Sequence, residues 1–84
     1  MSNKNFIIEP EANNSVTLWI QHRPVKAIAD RRNLIIVFDP KEWTAELTEN
    51  GVRINRKKNH PEVTIEEMSG SIDFGKVDYT RLGE

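Results

Sequence analysis

The chain has 84 residues, no cysteine and a formal net charge of −1. This length leaves room for one small domain, and the absence of cysteine excludes disulfide bonds, thiolate metal sites and thiol nucleophiles. No apolar run approaches the roughly 20 residues of a membrane-spanning helix, and the polar N-terminal stretch lacks the apolar core of a signal peptide. We therefore expect a cytoplasmic protein that makes no membrane contact.

The first third of the chain predicts two short strands and a helical turn. Phe6 to Ile8 is an apolar run typical of an edge strand, and Val16 to Gln21 alternates apolar and polar residues as a half-buried strand does. Trp19 falls on the polar face of that strand. We interpret it either as part of a small cluster under a loop or as a contact residue at an interface. Residues 24–32 carry apolar side chains three and four positions apart, which favours one or two helical turns, with a loop as the alternative.

The central region predicts a buried strand followed by a hairpin. Leu34 to Phe38 is an uninterrupted apolar run, so we expect both of its faces to be covered. Asn50-Gly51 then separates two alternating runs, which favours a two-residue type I′ turn that places Leu47 opposite Ile54. The apolar face of this hairpin would carry Trp43, Ala45, Leu47, Val52 and Ile54.

The charge of the chain changes sign near residue 60. Residues 1–60 hold 10 Lys/Arg and 7 Asp/Glu, whereas residues 61–84 hold 2 and 6. We predict a β-rich domain over 1–60 and an acidic, partly disordered, partner-binding tail over 61–84. Thr64 to Glu67 has the form of a capping box and predicts a short helix that ends at Gly70. The predicted partner-binding anchors are Ile65, Met68, Ile72, Phe74, Val77 and Tyr79, with Glu66, Glu67, Asp73 and Asp78 supplying charge.

The second strand of the hairpin and its exit are basic. Lysine and arginine on a two-stranded ribbon can neutralise phosphates, and such a ribbon fits the major groove of DNA. We therefore predict possible contact with DNA or RNA, with an ordinary solvated polar face as the alternative interpretation. The predicted nucleic-acid-binding residues are Arg53, Arg56, Lys57 and Lys58.

Catalytic signatures are not found in the sequence. The two histidines, His22 and His60, are 38 positions apart, and no phosphate-binding or nucleophile motif accompanies them. We expect a protein that is not an enzyme, with no catalytic residue, no metal site and no cofactor.

Three stretches of the C-terminal 50 residues resemble the MazE-type (AbrB-like) antitoxins. They are Val37-Phe-Asp-Pro-Lys-Glu-Trp43, then residues 45–58, and finally residues 61–68 together with Ile72-Asp-Phe-Gly75. The resemblance implies a small dimeric β domain that binds DNA, followed by an acidic tail that wraps around a toxin.

These observations predict an α+β, mainly β fold. We expect a four- to five-stranded antiparallel sheet or barrel with a central hairpin, one short helix and an extended acidic tail, assembled as a homodimer. The expected function is a small regulatory protein that neutralises or modulates a protein partner through its tail, with DNA binding by the hairpin as a further possibility. Two alternatives are a nucleic-acid-binding β module with an autoinhibitory tail, and a viral or structural accessory protein that self-associates.

Overall fold

A computed structural model describes residues 6–57, 61–68 and 74–83. Every regular element in these ranges is a β-strand, so the predicted α+β class and the predicted short helix are wrong. The strands, in chain order, are β1 (Phe6–Pro10), β2 (Ser15–Ile20), β3 (Arg23–Asp30), β4 (Asn33–Phe38), β5 (Trp43–Leu47), β6 (Gly51–Arg56), β7 (Val63–Glu66) and β8 (Lys76–Arg81).

Both segments predicted as helical form strands because their burial alternates with a period of two. In β7, Val63 and Ile65 are buried while the residues between and after them are exposed. In β3, Val25 and Ala27 are buried while Ile28 lies on the opposite, exposed side. The capping-box signal and the three-four spacing were therefore outweighed by the pairing of each segment with a neighbouring strand.

The strands form two sheets. The larger sheet has the order β1-β2-β3-β4-β8 and the smaller has the order β5-β6-β7. All pairs are antiparallel except β4 with β8, which is parallel. The larger sheet thus combines β1 to β4 with β8, and the parts of the acidic segment that the structure describes do not form the predicted extended tail. Residues 63–66 and 76–81 of that tail each complete an edge of a sheet.

The two sheets share one hydrophobic core. Leu18, Leu34 and Ile36 contribute to it from the larger sheet, and Val52 and Ile54 from the smaller. The predicted tail also contributes, since four of its side chains belong to this core within the described ranges. These are Val63, Ile65, Phe74 and Val77.

The hairpin of β5 and β6 forms with a different register from the prediction. Leu47 pairs with Val52 and Ala45 with Ile54, a register two residues away from the predicted one, and residues 48–50 connect the strands. Asn50 and Gly51 lack the positive φ that a type I′ turn requires. The amide of Thr48 donates to the carbonyl oxygen of Gly51 (2.8 Å) to close the connection. Because the shift is even, the same side of each strand is directed to the core. Trp43, Val52 and Ile54 are buried there, whereas Ala45 is half-buried and Leu47 is exposed.

A type I′ geometry is instead expected for the two-residue connection between β2 and β3. Gln21 and His22 have φ values of 52° and 70°, and Ile20 pairs with Arg23 across the turn. Neither residue is glycine or asparagine, so the usual sequence signal for this turn is missing.

Gly51 is required because β7 passes close to its backbone. A Cβ atom at this position would collide with the backbone oxygen of Ile65 and come within 2.9 Å of the Glu66 Cα. We predict that Gly51→Ala lowers the free energy of unfolding by about 3 kcal/mol, since β7 would have to shift. Urea denaturation followed by far-UV circular dichroism measures this change.

The matched control is Asn50→Ala, which changes the neighbouring exposed residue. We expect it to alter the free energy of unfolding by less than about 0.5 kcal/mol, because Asn50 has an ordinary backbone conformation. Equal losses for the two variants would contradict the close-approach explanation.

Candidate functional site

The structure places the six predicted partner-binding residues in different surroundings. Ile65, Phe74 and Val77 are buried in the core of the chain. Tyr79 is partly buried and its ring meets that of Phe38 edge to face, with centroids 5.5 Å apart. Met68 is exposed, and Ile72 lies outside the described residues. This set therefore does not form a continuous surface that a partner could contact without rearrangement.

The predicted nucleic-acid-binding residues are also divided. Arg53 lies on the outer side of the smaller sheet, where its guanidinium is 2.7 Å from a Glu46 carboxylate oxygen and 3.2 Å from one of Glu62. Lys57 is exposed, and Lys58 lies outside the described residues. The outer side of the smaller sheet is thus mixed in charge, and its arginine is already paired with two carboxylates.

Arg56 is placed differently from Arg53, because it continues the core side of β6. Its guanidinium lies 5.9 Å from the centroid of the Trp43 ring and 3.9 Å from a carboxylate oxygen of Glu42. Only 15% of its side chain is exposed. Arg56 therefore contributes to the packing around Trp43 and presents little charge to a phosphate.

A shallow cleft of about 250 Å³ crosses the outer side of the smaller sheet. Within it, the Oδ1 atom of Asn55 is buried and makes no hydrogen bond to the described part of the chain. Arg53 and its two carboxylate partners line the same cleft, which therefore carries one positive and two negative charges. The lining residues are Thr44, Ala45, Glu46, Arg53, Asn55 and Glu62.

The larger sheet has a different kind of outer surface, which we call the outer face. It consists of the side chains of β1 to β4 and β8 that are directed away from the core. Trp19 lies near one end of this face, directly across from Ile7 on β1 and from Pro24 on β3. Ile7 is 67% exposed and Trp19 36%. The indole nitrogen of Trp19 donates to a carboxylate oxygen of Glu9 (3.4 Å), which holds the ring beside β1.

The outer face remains apolar beyond Trp19. Ile28 on β3 is paired with Ile35 on β4, and Ile28 is 41% exposed. Val37 is half-buried and lies across from Lys26. β4 was predicted to be covered on both faces; within the described residues Leu34, Ile36 and Phe38 on one side are buried, whereas Ile35 and Val37 on the other side are half-buried.

Charged residues are distributed among these apolar side chains. Glu9, Thr17, Lys26, Val37 and Thr80 form one row across all five strands. At the far edge, the Lys76 ammonium lies 3.9 Å from a carboxylate oxygen of Asp78. The outer face thus has an apolar centre with charges of both signs, the composition of a protein interface. Two signals in the sequence point to this face: Trp19 on a polar strand face, and the uninterrupted apolar run of β4.

Other kinds of site are not seen in the ranges that the structure describes. Residues 6–57, 61–68 and 74–83 contain no group of three or more His, Asp or Glu side chains that could hold a metal ion. None of these ranges forms a helix long and apolar enough to span a membrane.

Comparison of the chain with protein-family models, with curated proteins and with solved structures finds no match in any of the three. The resemblance to MazE-type antitoxins, and the functions that it implies, therefore remain predictions.

The burial of the predicted anchors can be tested by mutation. We predict that Ile65→Ala lowers the free energy of unfolding by about 2–5 kcal/mol, because it leaves a cavity in a packed core. Met68→Ala, which trims an exposed side chain of the same segment, should change it by less than about 0.5 kcal/mol. Urea denaturation of both variants provides the comparison, and a neutral Ile65→Ala would contradict the placement of β7.

Proposed function

We propose that this chain is a small, non-catalytic binding module that recognises another protein through the outer face. The observation that carries the proposal is the exposed apolar surface around Trp19, flanked by Ile7 and Pro24. Tryptophan is among the residues that contribute most to binding energy when an interface covers them. Aliphatic neighbours and a charged border supply the other features of such an interface.

The sequence of β4 supports the same proposal. An antiparallel sheet that faces water on one side normally alternates apolar and polar residues. β4 does not alternate in this way, because Ile35 and Val37 on its outer side are as apolar as Leu34, Ile36 and Phe38 on its core side. Fully covering an exposed aliphatic side chain contributes about 1.5–3 kcal/mol, and part of that amount is still to be gained at the half-buried Ile35 and Val37. A partner on the outer face would therefore gain a favourable apolar contribution that the chain alone does not use.

Binding through the tail is less favourable in this fold. To act as anchors for a partner, Ile65, Phe74 and Val77 would have to leave the core, and each departure would cost about 2–5 kcal/mol. Met68 alone among the described anchors is exposed without any rearrangement. A regulatory role, including neutralisation of a partner, is compatible with the outer face as the binding surface.

Nucleic-acid binding by the hairpin is also less favourable than protein binding by the outer face, because it would require existing contacts to be broken. Arg53 would have to exchange its contacts with Glu46 and Glu62 for phosphate contacts. Those two carboxylates, together with Glu66 on the neighbouring strand, would then repel the nucleic-acid backbone.

The decisive variant is Trp19→Gln. We expect it to weaken capture of the protein partner about 30-fold or more, because loss of a tryptophan that is a binding hot spot costs at least about 2 kcal/mol of binding energy. The measurement is capture from cell extract by the immobilised full-length chain, with untagged copies of the same chain included among the possible partners. Deletion of residues 61–84 is a poorer test, since it would remove two strands and part of the core.

The matched control is Leu47→Gln, which removes an exposed apolar side chain from the smaller sheet. Leu47 is 57% exposed, more than Trp19, so the control removes at least as accessible a group. It should leave capture unchanged. Equal losses in the two variants, or a loss confined to Leu47→Gln, would exclude the outer face as the binding surface.

A further inference from the structure

We infer that the partner of the outer face is a second copy of this chain, bound face to face about a two-fold axis that runs along β2. This inference rests on the proposed function and specifies its partner. On the three strands β1, β2 and β3, the distribution of charged and apolar groups is self-complementary.

Two-fold rotation about an axis along β2 exchanges the strands on either side of it. Residues of β2 then face their own counterparts, and residues of β1 face those residues of β3 that lie in the same row. Packed sheets keep their strand directions within about 30° and lie about 10 Å apart, so the rows remain opposite one another near the axis.

The row that contains Glu9, Thr17 and Lys26 is self-complementary under this rotation. Glu9 on β1 and Lys26 on β3 are both paired with Thr17 on β2, one from each side. Rotation therefore brings Glu9 of each copy opposite Lys26 of the other copy, and two Glu–Lys ion pairs form. A partner of arbitrary sequence would need the same alternation of charge, whereas a second copy has it automatically.

The apolar row of Ile7, Trp19 and Pro24 is also self-complementary under this rotation. Ile7 and Pro24 flank Trp19 in the same way that Glu9 and Lys26 flank Thr17. In the dimer Trp19 meets the Trp19 of the other copy, and each Ile7 meets a Pro24. Aromatic pairs of this kind favour offset or edge-to-face contact, and the contact removes the most exposed isoleucine of β1 from water.

The size of the contact indicates a weak dimer. A standard interface takes about 800 Å² from each partner, about one-seventh of the 5826 Å² surface of the described chain. The proposed contact is only three strands wide, about 14 Å at the usual spacing between strands. It is therefore smaller than a standard interface, and we expect association to be weak or transient. The net charge of −1 opposes association of two copies only slightly.

The test is sedimentation equilibrium of the full-length chain from about 10 μM to 1 mM, with charge-reversal variants. We expect a dimer with a dissociation constant in the micromolar range. Glu9→Lys and Lys26→Glu should each weaken it about tenfold, because each reversal places like charges together at two positions. The double variant exchanges the two charges and should return to within about threefold of the original dissociation constant.

The control is Glu66→Lys, which makes the same change of charge on the smaller sheet. It should leave the dissociation constant unchanged, and far-UV circular dichroism of every variant shows that the fold is retained. Additive losses in the double variant, or an equal effect of Glu66→Lys, would overturn the inference.

A chain that stays monomeric up to 1 mM would also overturn the inference. If it then still captured a different protein in a Trp19-dependent way, the proposed function would stand without self-association. If it captured nothing through Trp19, the proposed function would fail too.

Discussion

The fold depends on one hydrophobic core that both sheets must share. A chain of 84 residues can fill only one such core, and its large apolar residues are few. The core therefore recruits Ile65 and Val77 from the acidic end of the chain, and Phe74 between them. Once these side chains are buried, the acidic segment is part of the body of the protein and its charged residues lie at the surface of two sheet edges. The surfaces that remain for function are the outer sides of the two sheets.

These two outer sides differ in what they leave unused. On the smaller sheet, the guanidinium of Arg53 is paired with the carboxylates of Glu46 and Glu62, so these charged groups already have partners within the chain. On the larger sheet, Trp19 makes one long hydrogen bond and its ring is otherwise accessible at the end of an apolar surface. The difference in composition is what separates a solvated face from one that suits a protein partner.

Much of the strand pattern could be predicted from the sequence, because alternation in β2 and in the hairpin reports directly which side is buried. The location of the edge strand β1 was also predictable from a short apolar run that ends in Glu9-Pro10. The helix predicted from Thr64 failed because a local capping signal carries no information about the strand that β7 pairs with. The prediction of a type I′ turn at Asn50-Gly51 failed because the glycine serves a different purpose. It allows the backbone of β7 to approach closely, a requirement that arises only when β7 pairs with β6. The outer face could not be predicted as a unit, because it depends on which strands are neighbours and on their register.

The parallel pairing of β4 with β8 has a consequence for the kinetics of folding. Asn33 is paired with Lys76, and the pairing continues through Ile36 with Tyr79, so these contacts join residues about half a chain length apart. The hairpins of β1 to β4 close through short connections. Pairing of β8 with β4 closes a much longer loop, which costs more conformational entropy before any contact forms. High contact order of this kind slows folding to the millisecond-to-second range. During that interval the backbone edge of β4 is open to other chains, so the rate at which β8 docks sets how long the protein is vulnerable to aggregation.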